Sequence, residues 1–114
     1  MARSSIDLLQ GTLDLIVLKT LSWGPMHGFG IARWIQHTTE EVLQVEEGSL
    51  YPALYRMENR GWIKAQWALT ENGRRAKYYR LTAVGRRQLT AEFASWEQMT
   101  NAIGKIMTAR REPA

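Results

Sequence analysis

One short segment, residues 48–63, leaves this chain few ways to fold. Ser49 is a favoured N-cap residue, because its hydroxyl can accept a hydrogen bond from an unpaired amide of the first helical turn. Pro52 then falls within that first turn, where a missing amide hydrogen costs nothing. Gly61 can end the helix, and a strand pattern starts two residues later. The segment predicts a short helix that runs directly into a strand.

This helix is expected to have two unlike sides. Leu50, Leu54 and Met57 recur at helical spacing and form an apolar stripe for the core. The outer side then carries Tyr51, Pro52, Tyr55, Arg56 and Asn59. Tyrosine, arginine and amide side chains suit a helix that lies in the major groove of DNA, but many ordinary surface helices carry them too. The residues that follow the helix therefore distinguish a DNA-binding helix from an ordinary surface helix.

A basic hairpin follows the helix. Residues 63–67 and 79–81 alternate apolar and polar side chains as strands do. Between them, Asn72-Gly73 predicts a two-residue type I′ turn, since both residue types tolerate a positive φ. Three cations come directly after the turn: Arg74, Arg75 and Lys77. A helix followed by a hairpin with a cationic tip is the layout of a winged helix-turn-helix, with one helix in the major groove and the wing on the phosphate backbone.

The composition favours a single soluble domain. The chain has 114 residues, 45% of them hydrophobic, which is enough for a modest core. The absence of cysteine removes disulfides, thiolate metal sites and a cysteine nucleophile, and it fits a reducing compartment. No apolar run approaches the roughly 18 residues of a membrane span. We expect a cytoplasmic protein without a membrane partner.

The positive charge is concentrated in one third of the chain. Residues 56–90 contain nine Lys and Arg against two Glu, whereas residues 36–50 contain four Glu and no Lys or Arg. This asymmetry predicts a face that meets a polyanion. A solvated basic face is the ordinary alternative, but the basic run coincides with the predicted wing.

Two helices are predicted before the DNA-facing one. The first runs from about Ser5 to Ser22 and ends at Trp23-Gly24-Pro25, because a residue before proline is pushed out of the helical conformation. The second starts near His27 or Gly28 and ends around Thr38. Three of its apolar residues are expected to point inward: Ile31, Trp34 and Ile35. Residues 39–48 form an acidic connection to the next helix.

A long amphipathic helix is predicted from Ala83 to Ala109. Three helices and a hairpin already close a small core, so this further apolar stripe needs another surface to pack on, and a second subunit is the natural one. The alternative is that the helix folds back over its own domain. The expected dimer interface consists of Leu89, Phe93, Trp96, Ile103 and Ile106.

The predicted fold is therefore mostly α with a small two-stranded β wing, that is, a winged helix-turn-helix plus a long C-terminal dimerisation helix. Residues 1–82 form the expected DNA-binding domain, 83–109 the dimerisation helix and 110–114 a frayed tail.

Four segments in order resemble the PadR family of bacterial transcriptional regulators. The segments are 9–15, 24–31, 48–54 with Glu58 and Gly61, and 74–82 with Gly85. The resemblance covers nearly the whole chain and implies a winged-helix homodimer, usually a repressor, on a pseudo-palindromic operator. Phe29 departs from the family pattern, which often has tyrosine there. If that hydroxyl contacts a phosphate in relatives, the missing contact weakens affinity more than specificity.

The residues expected to contact duplex DNA lie on the third helix and the wing. Arg56 is suited to a guanine edge; a phosphate contact is one alternative, and an ion pair within the helix is poorly supported because position 60 also holds arginine. Tyr55 has the alternative of partial burial against the wing. The full set is Ser49, Tyr51, Pro52, Tyr55, Arg56, Lys64, Arg74, Arg75 and Lys77.

The terminal helix also carries a candidate effector site. The resemblance implies that a small planar aromatic molecule can bind at the dimer interface, beside Phe93, Trp96 and Met99. The alternative is that these side chains are simply core.

An enzyme is not expected. The sequence contains no glycine-rich phosphate loop, no nucleophile elbow and no paired catalytic carboxylates, and its two histidines have no second ligand at metal spacing, so neither a cofactor nor a metal is predicted. The remaining alternative is a winged-helix adaptor that binds protein and not DNA. The clustered wing cations argue against it, since an adaptor has no need of them.

Overall fold

The computed structural model describes residues 10–111. Its elements, in chain order, are α1 (Gln10–Leu21), β1 (Met26–His27), α2 (Gly28–Thr38), α3 (Glu47–Asn59), β2 (Ile63–Leu69), β3 (Arg75–Leu81) and α4 (Ala83–Thr108). This is the predicted winged helix-turn-helix with a long C-terminal helix. The predicted start of the first helix at Ser5 lies outside the described residues.

The wing belongs to a three-stranded antiparallel sheet in the order β1-β3-β2. β1 has two residues, and Met26 pairs with Tyr79 of β3. The sequence predicted two strands, because a two-residue strand is too short to show an alternating pattern. β1 joins the start of α2 to the centre of the sheet, so the wing is fixed to the helical part at its base.

The tip of the wing differs from the predicted type I′ turn. Thr70 donates its amide to the carbonyl of Arg74 (2.7 Å), and Gly73 donates its amide to the carbonyl of Thr70 (2.9 Å). These bonds close a three-residue loop, 71–73, in which Gly73 alone has a positive φ, of 79°. The Asn-Gly pair marked the hairpin correctly, but the loop is one residue longer than a type I′ turn requires.

α3 begins two residues before the predicted N-cap. Its N-cap is Glu46, whose side chain makes no capping bond, so the prediction that Ser49 caps the helix is wrong. Pro52 consequently lies inside the helix and not in its first turn. It cannot donate to the carbonyl of Gly48, but Gly48 is exposed, which leaves that carbonyl open to solvent.

The core lies between α1, α2, α3 and the inner face of the sheet. Its fully buried members include Val17, Leu18, Ile31, Leu50 and Leu54. The apolar stripe predicted for α3 is buried as expected. Trp34 was expected to point inward from α2, but its side chain is exposed; the buried residues of α2 are Gly28, Ile31 and Ile35.

α4 starts at the sheet, packs against α1 and then extends away from the core. Thr82 caps it, since its hydroxyl accepts a hydrogen bond from the amide of Gly85 (3.0 Å). Beyond Glu92 every described residue of α4 is exposed. The Cα radius of gyration is 16.9 Å and the longest dimension 67 Å, against a radius of about 13 Å for a compact domain of about 100 residues. Among residues 10–111, no helix combines the length and hydropathy that crossing a bilayer demands.

Candidate nucleic-acid interface

A groove of about 680 Å³ separates the wing from the corner formed by α2 and α3. It brings Tyr51 of α3 together with Arg74, Arg75 and Lys77 of the hairpin. Its remaining walls are mostly aromatic or small: His27, Gly28, Phe29, Trp67, Thr70, Asn72, Ala76 and Tyr79. Four of the nine residues selected from the sequence for DNA contact therefore line one surface.

The register of the hairpin decides which cations face the groove. Lys77 lies opposite Trp67, and both line the groove. Lys64 lies opposite Arg80, and successive side chains point to opposite faces of a strand. Lys64 is therefore on the other face of the wing, and the structure does not bring it together with the groove residues.

The three groove cations differ in how they are held. Lys77 Nζ lies 3.5 Å from Glu58 Oε1, so a carboxylate on α3 partly offsets its charge. The guanidinium of Arg75 lies 5.0 Å from the centroid of the Trp67 ring, a cation–π contact on an exposed strand surface. Among residues 10–111, neither Arg74 nor Arg75 forms an ion pair. Their charges are thus available to an anion from outside.

Tyr51 is held across the start of α2. A Cβ atom built on Gly28 would lie 2.6 Å from the Tyr51 hydroxyl oxygen and 2.7 Å from a ring carbon. Glycine is therefore required for the ring to pack this closely. Even so, the Tyr51 side chain keeps 44% of its surface exposed, facing the groove.

The rest of the outer face of α3 is open. Ser49 and Pro52 are exposed, and Tyr55 is 68% exposed, which argues against the alternative of partial burial against the wing. His27 caps the neighbouring α2, because its Nδ1 accepts a hydrogen bond from the amide of Gly30 (2.9 Å). The two helices thus present a solvent-facing corner with a fixed backbone.

Arg56 is the main correction to the predicted site. It does not lie free on the outer face, because its Nη2 donates to Asp14 Oδ1 of α1 in a partly buried ion pair. Spacing within one helix does not predict this pair, because Asp14 lies 42 residues earlier in the chain. The guanidinium is therefore already engaged on the side of α3 that faces the helical core.

Burial changes the pKa of two groups next to this surface. Desolvation raises the pKa of the Asp14 carboxyl above its usual value, although the hydrogen bond and charge of Arg56 act in the opposite direction. Desolvation also raises the pKa of the Tyr79 hydroxyl, and the nearby Glu58 carboxylate adds to that effect. Tyr79 therefore stays neutral at physiological pH and adds no negative charge to the groove.

Trp67 is a groove residue that was not predicted from the sequence. Its side chain is 57% exposed beside the wing cations. Strand alternation contained the signal, because a tryptophan at 67 and a lysine at 77 share one face once the hairpin register is known.

The second predicted surface lies on α4. Phe93 and Trp96 stack with ring centroids 6.0 Å apart and an interplanar angle of 13°. Phe93, Trp96 and Met99 are 47%, 44% and 61% exposed, so within residues 10–111 they are not core. Ile103 and Ile106 are exposed as well, whereas Leu89 packs partly against the core. Within the same range, no group of three or more potential metal ligands occurs.

Comparison with known proteins places these features in one context. The sequence model of the transcriptional regulator PadR-like family matches residues 17–91. A transcriptional regulator from Clostridium thermocellum is 32% identical, with a TM-score of 0.77 over 84% of this chain and 93% of its own. A PadR family transcriptional regulator from Eggerthella lenta is 28% identical, with a TM-score of 0.76 over 89% of this chain and 86% of its own. An uncharacterised protein from Lysinibacillus sphaericus is 30% identical over 101 residues, which are 89% of this chain and 93% of that protein.

Proposed function

This chain belongs to the PadR-like family of transcriptional regulators, and from that premise we propose that it binds a pseudo-palindromic DNA operator as a homodimer and represses transcription there. The observation that carries the proposal is the shared groove of Tyr51 and the wing cations Arg74 and Arg75. A helix face and a cationic hairpin on one surface match the shape and charge of duplex DNA.

The exposed side of α3 and the wing cations have distinct roles in this proposal. The exposed side of α3, with Ser49, Tyr51, Pro52 and Tyr55, enters the major groove, where tyrosines contact thymine methyl groups or phosphates. Arg74 and Arg75 lie on the adjacent phosphate backbone or enter the minor groove. Lys77 joins them when a phosphate replaces Glu58 as its partner. Phe29 adds apolar contact beside the DNA but no hydrogen-bonding hydroxyl.

The homodimer is supported by the exposed stripe of α4. The interface would consist of Leu89, Phe93, Trp96, Ile103 and Ile106. A two-fold dimer suits a pseudo-palindromic operator, whose half-sites lie one helical turn, about 34 Å, apart along the duplex.

A small planar aromatic effector fits the same interface. The stacked Phe93 and Trp96 rings, with Met99 on the same helix, offer flat apolar surfaces that two copies would bring face to face. In this proposal the ligand changes the packing of the two α4 helices and so releases the operator.

The DNA-binding proposal is tested by a salt titration with duplexes from the region upstream of the gene for this protein. We expect log affinity to fall steeply with log salt, and Arg75→Ala to reduce the slope by about one, because one phosphate contact is lost. Lys64→Ala is the matched control: it removes the same charge from the opposite face of the wing and should leave the slope nearly unchanged.

Two results would count against the proposal. If no duplex shows salt-dependent binding, a protein-binding adaptor becomes the better explanation. Equal slopes for Arg75→Ala and Lys64→Ala would mean that the groove is not the contact surface.

A further inference from the structure

A partly buried ion pair joins α1 to α3 in the helical core. The side chain of Asp14 is 5% exposed and that of Arg56 is 25% exposed. Arg56 Nε is also buried and has no hydrogen-bond partner among the described residues. The guanidinium is therefore held by Asp14 and is not stretched toward the groove.

The ion pair depends on the distance and angle between its two side chains, whereas the burial of apolar side chains has no preferred direction. Leu50, Leu54 and Met57 bury one stripe of α3, but the hydrophobic effect that drives their burial is non-directional. A charge-assisted hydrogen bond has a narrow range of distance and angle. A bond between Asp14 of α1 and Arg56 of α3 therefore restricts the rotation of α3 about its own axis.

Two weaker contacts hold the ends of the same helix. At its N-terminal side the Tyr51 ring packs on Gly28 of α2, and at its C-terminal side Glu58 meets Lys77 of the wing at 3.5 Å. The ion pair lies between them along the helix and is the most buried of the three polar or aromatic contacts. It is also the one that faces α1, against which α4 packs.

We infer that Asp14 and Arg56 are positioning residues: their ion pair sets the orientation of α3 in which Tyr51 and Tyr55 read the operator, and Arg56 itself contacts no DNA. This inference rests on the proposed DNA-binding function. A rotated α3 misplaces side chains that contact base edges, whereas the wing cations still reach phosphates, so specific binding falls and non-specific binding persists.

The test compares two duplexes of equal length: one selected for tight binding to the wild-type protein from a random pool, and a scrambled version of it. Asp14→Asn, Arg56→Gln and the double variant are measured well below their melting temperatures. We expect each single change to reduce the ratio of specific to non-specific affinity about tenfold, and the double variant to be no worse than the poorer single one, because both break one interaction. The salt slope should stay at the wild-type value.

Two controls separate positioning from general loss of stability. Ile35→Val removes one methylene from the buried face of α2 and should lower the melting temperature without changing the affinity ratio. Arg56→Lys keeps the positive charge but not the planar guanidinium, so it should give an intermediate ratio of specific to non-specific affinity. It also serves as the test variant if Asp14→Asn or Arg56→Gln does not fold.

Three outcomes would overturn the inference. A slope reduced by about one in Arg56→Gln, with Asp14→Asn unaffected, would make Arg56 a direct phosphate contact. An unchanged affinity ratio in all the pair variants would leave the pair without a role in reading DNA. If Ile35→Val lowers the ratio of specific to non-specific affinity by the same factor, the effect of the pair variants would come from reduced stability and not from the orientation of α3. Failure of the wild-type protein to bind any duplex would instead refute the DNA-binding function itself.

Discussion

The winged-helix body, which runs from α1 to β3, and the C-terminal helix α4 contain similar apolar residues. The body buries these residues, whereas most of α4 leaves them exposed. In the body, residues such as Leu18, Leu54 and Met57 have no exposed surface. On α4, Ile106 and Met107 are about three-quarters exposed, at 74% and 76%. The same hydrophobic periodicity thus produces a closed core in one region and an open stripe in the other.

The difference shows that the body buries its apolar residues with only the first turns of α4, whereas the rest of α4 leaves its apolar residues exposed. α4 spans 26 residues, or about 39 Å, yet Gly85 is its one fully buried residue. We therefore expect changes at the junction to damage both regions, changes on the stripe to affect association, and changes in the groove to affect DNA binding alone.

The largest effect is expected at the junction, from Gly85→Ala. A Cβ atom there would lie 2.0 Å from the carbonyl oxygen of Trp62, a backbone atom that cannot swing away. Displacing α4 from the sheet should cost about 3 kcal/mol of unfolding free energy, measured by urea denaturation. Gly104→Ala on the same helix is the control: a Cβ there meets nothing within 4 Å, so replacing this helical glycine should be neutral or stabilising by up to about 1 kcal/mol. Equal effects of the two changes would mean that the junction is not tightly packed.

The next largest effect is expected on the stripe, from Ile103→Glu. Ile103 is 49% exposed, and a charge in its place cannot be buried against a second copy. We expect dimer dissociation to become at least about 30-fold easier, the equivalent of about 2 kcal/mol, as measured by sedimentation at several concentrations. Asn101→Glu, two residues away on the other side of the helix, should leave association unchanged. A wild-type chain that sediments as a monomer at every concentration would refute the dimer.

A smaller effect, confined to the body, is expected from Gly28→Ala. The added methyl group would displace the Tyr51 ring, whose contacting atoms lie at the far end of a side chain that can move. Operator affinity should fall about fivefold to tenfold, while the melting temperature and the dimer equilibrium change little. Gly11→Ala is the control for DNA affinity, because a Cβ atom at Gly11 of α1 would meet nothing within 4 Å. If Gly28→Ala also weakened dimerisation, DNA binding by the body and association through α4 would not be independent.

The smallest effect concerns pH. Burial raises the folded-state pKa of Asp14 above the ordinary value of 3.8 for this carboxyl, so the folded state holds this proton to a higher pH than the unfolded state does. The contribution of Asp14 to the unfolding free energy therefore falls as pH rises from about 3.8 through the folded-state pKa. Asp14→Asn removes this titration, and its stability difference from the wild-type protein should vary with pH only in that window. A difference that does not change between pH 3 and pH 7 would contradict the raised pKa.

The features that the sequence predicted are those determined by local periodicity. The stripe Leu50, Leu54 and Met57 is buried as its spacing predicts, and α4 begins at the predicted Ala83 and ends one residue before the predicted Ala109. The ion pair between Asp14 and Arg56 joins residues 42 positions apart, and no local pattern contains it.

Other differences have equally physical causes. Trp34 follows the apolar period of α2, but the core buries Ile31 and Ile35 and leaves the Trp34 side chain exposed. Ser49 is a good capping residue, yet the helix starts earlier because Glu47 and Gly48 also adopt helical geometry. The position of Trp67 depends on the register of the hairpin, which the loop length sets and the Asn-Gly pair alone did not give.

The open stripe of α4 also has a consequence for abundance in the cell. If a second copy covers it, the melting temperature rises with protein concentration, because association stabilises the folded chain by mass action. A newly made chain that does not associate with a second copy keeps an exposed apolar surface that chaperones and proteases can bind. Turnover would then remove solitary chains first, and the supply of active regulator would rise more steeply than the rate of its synthesis.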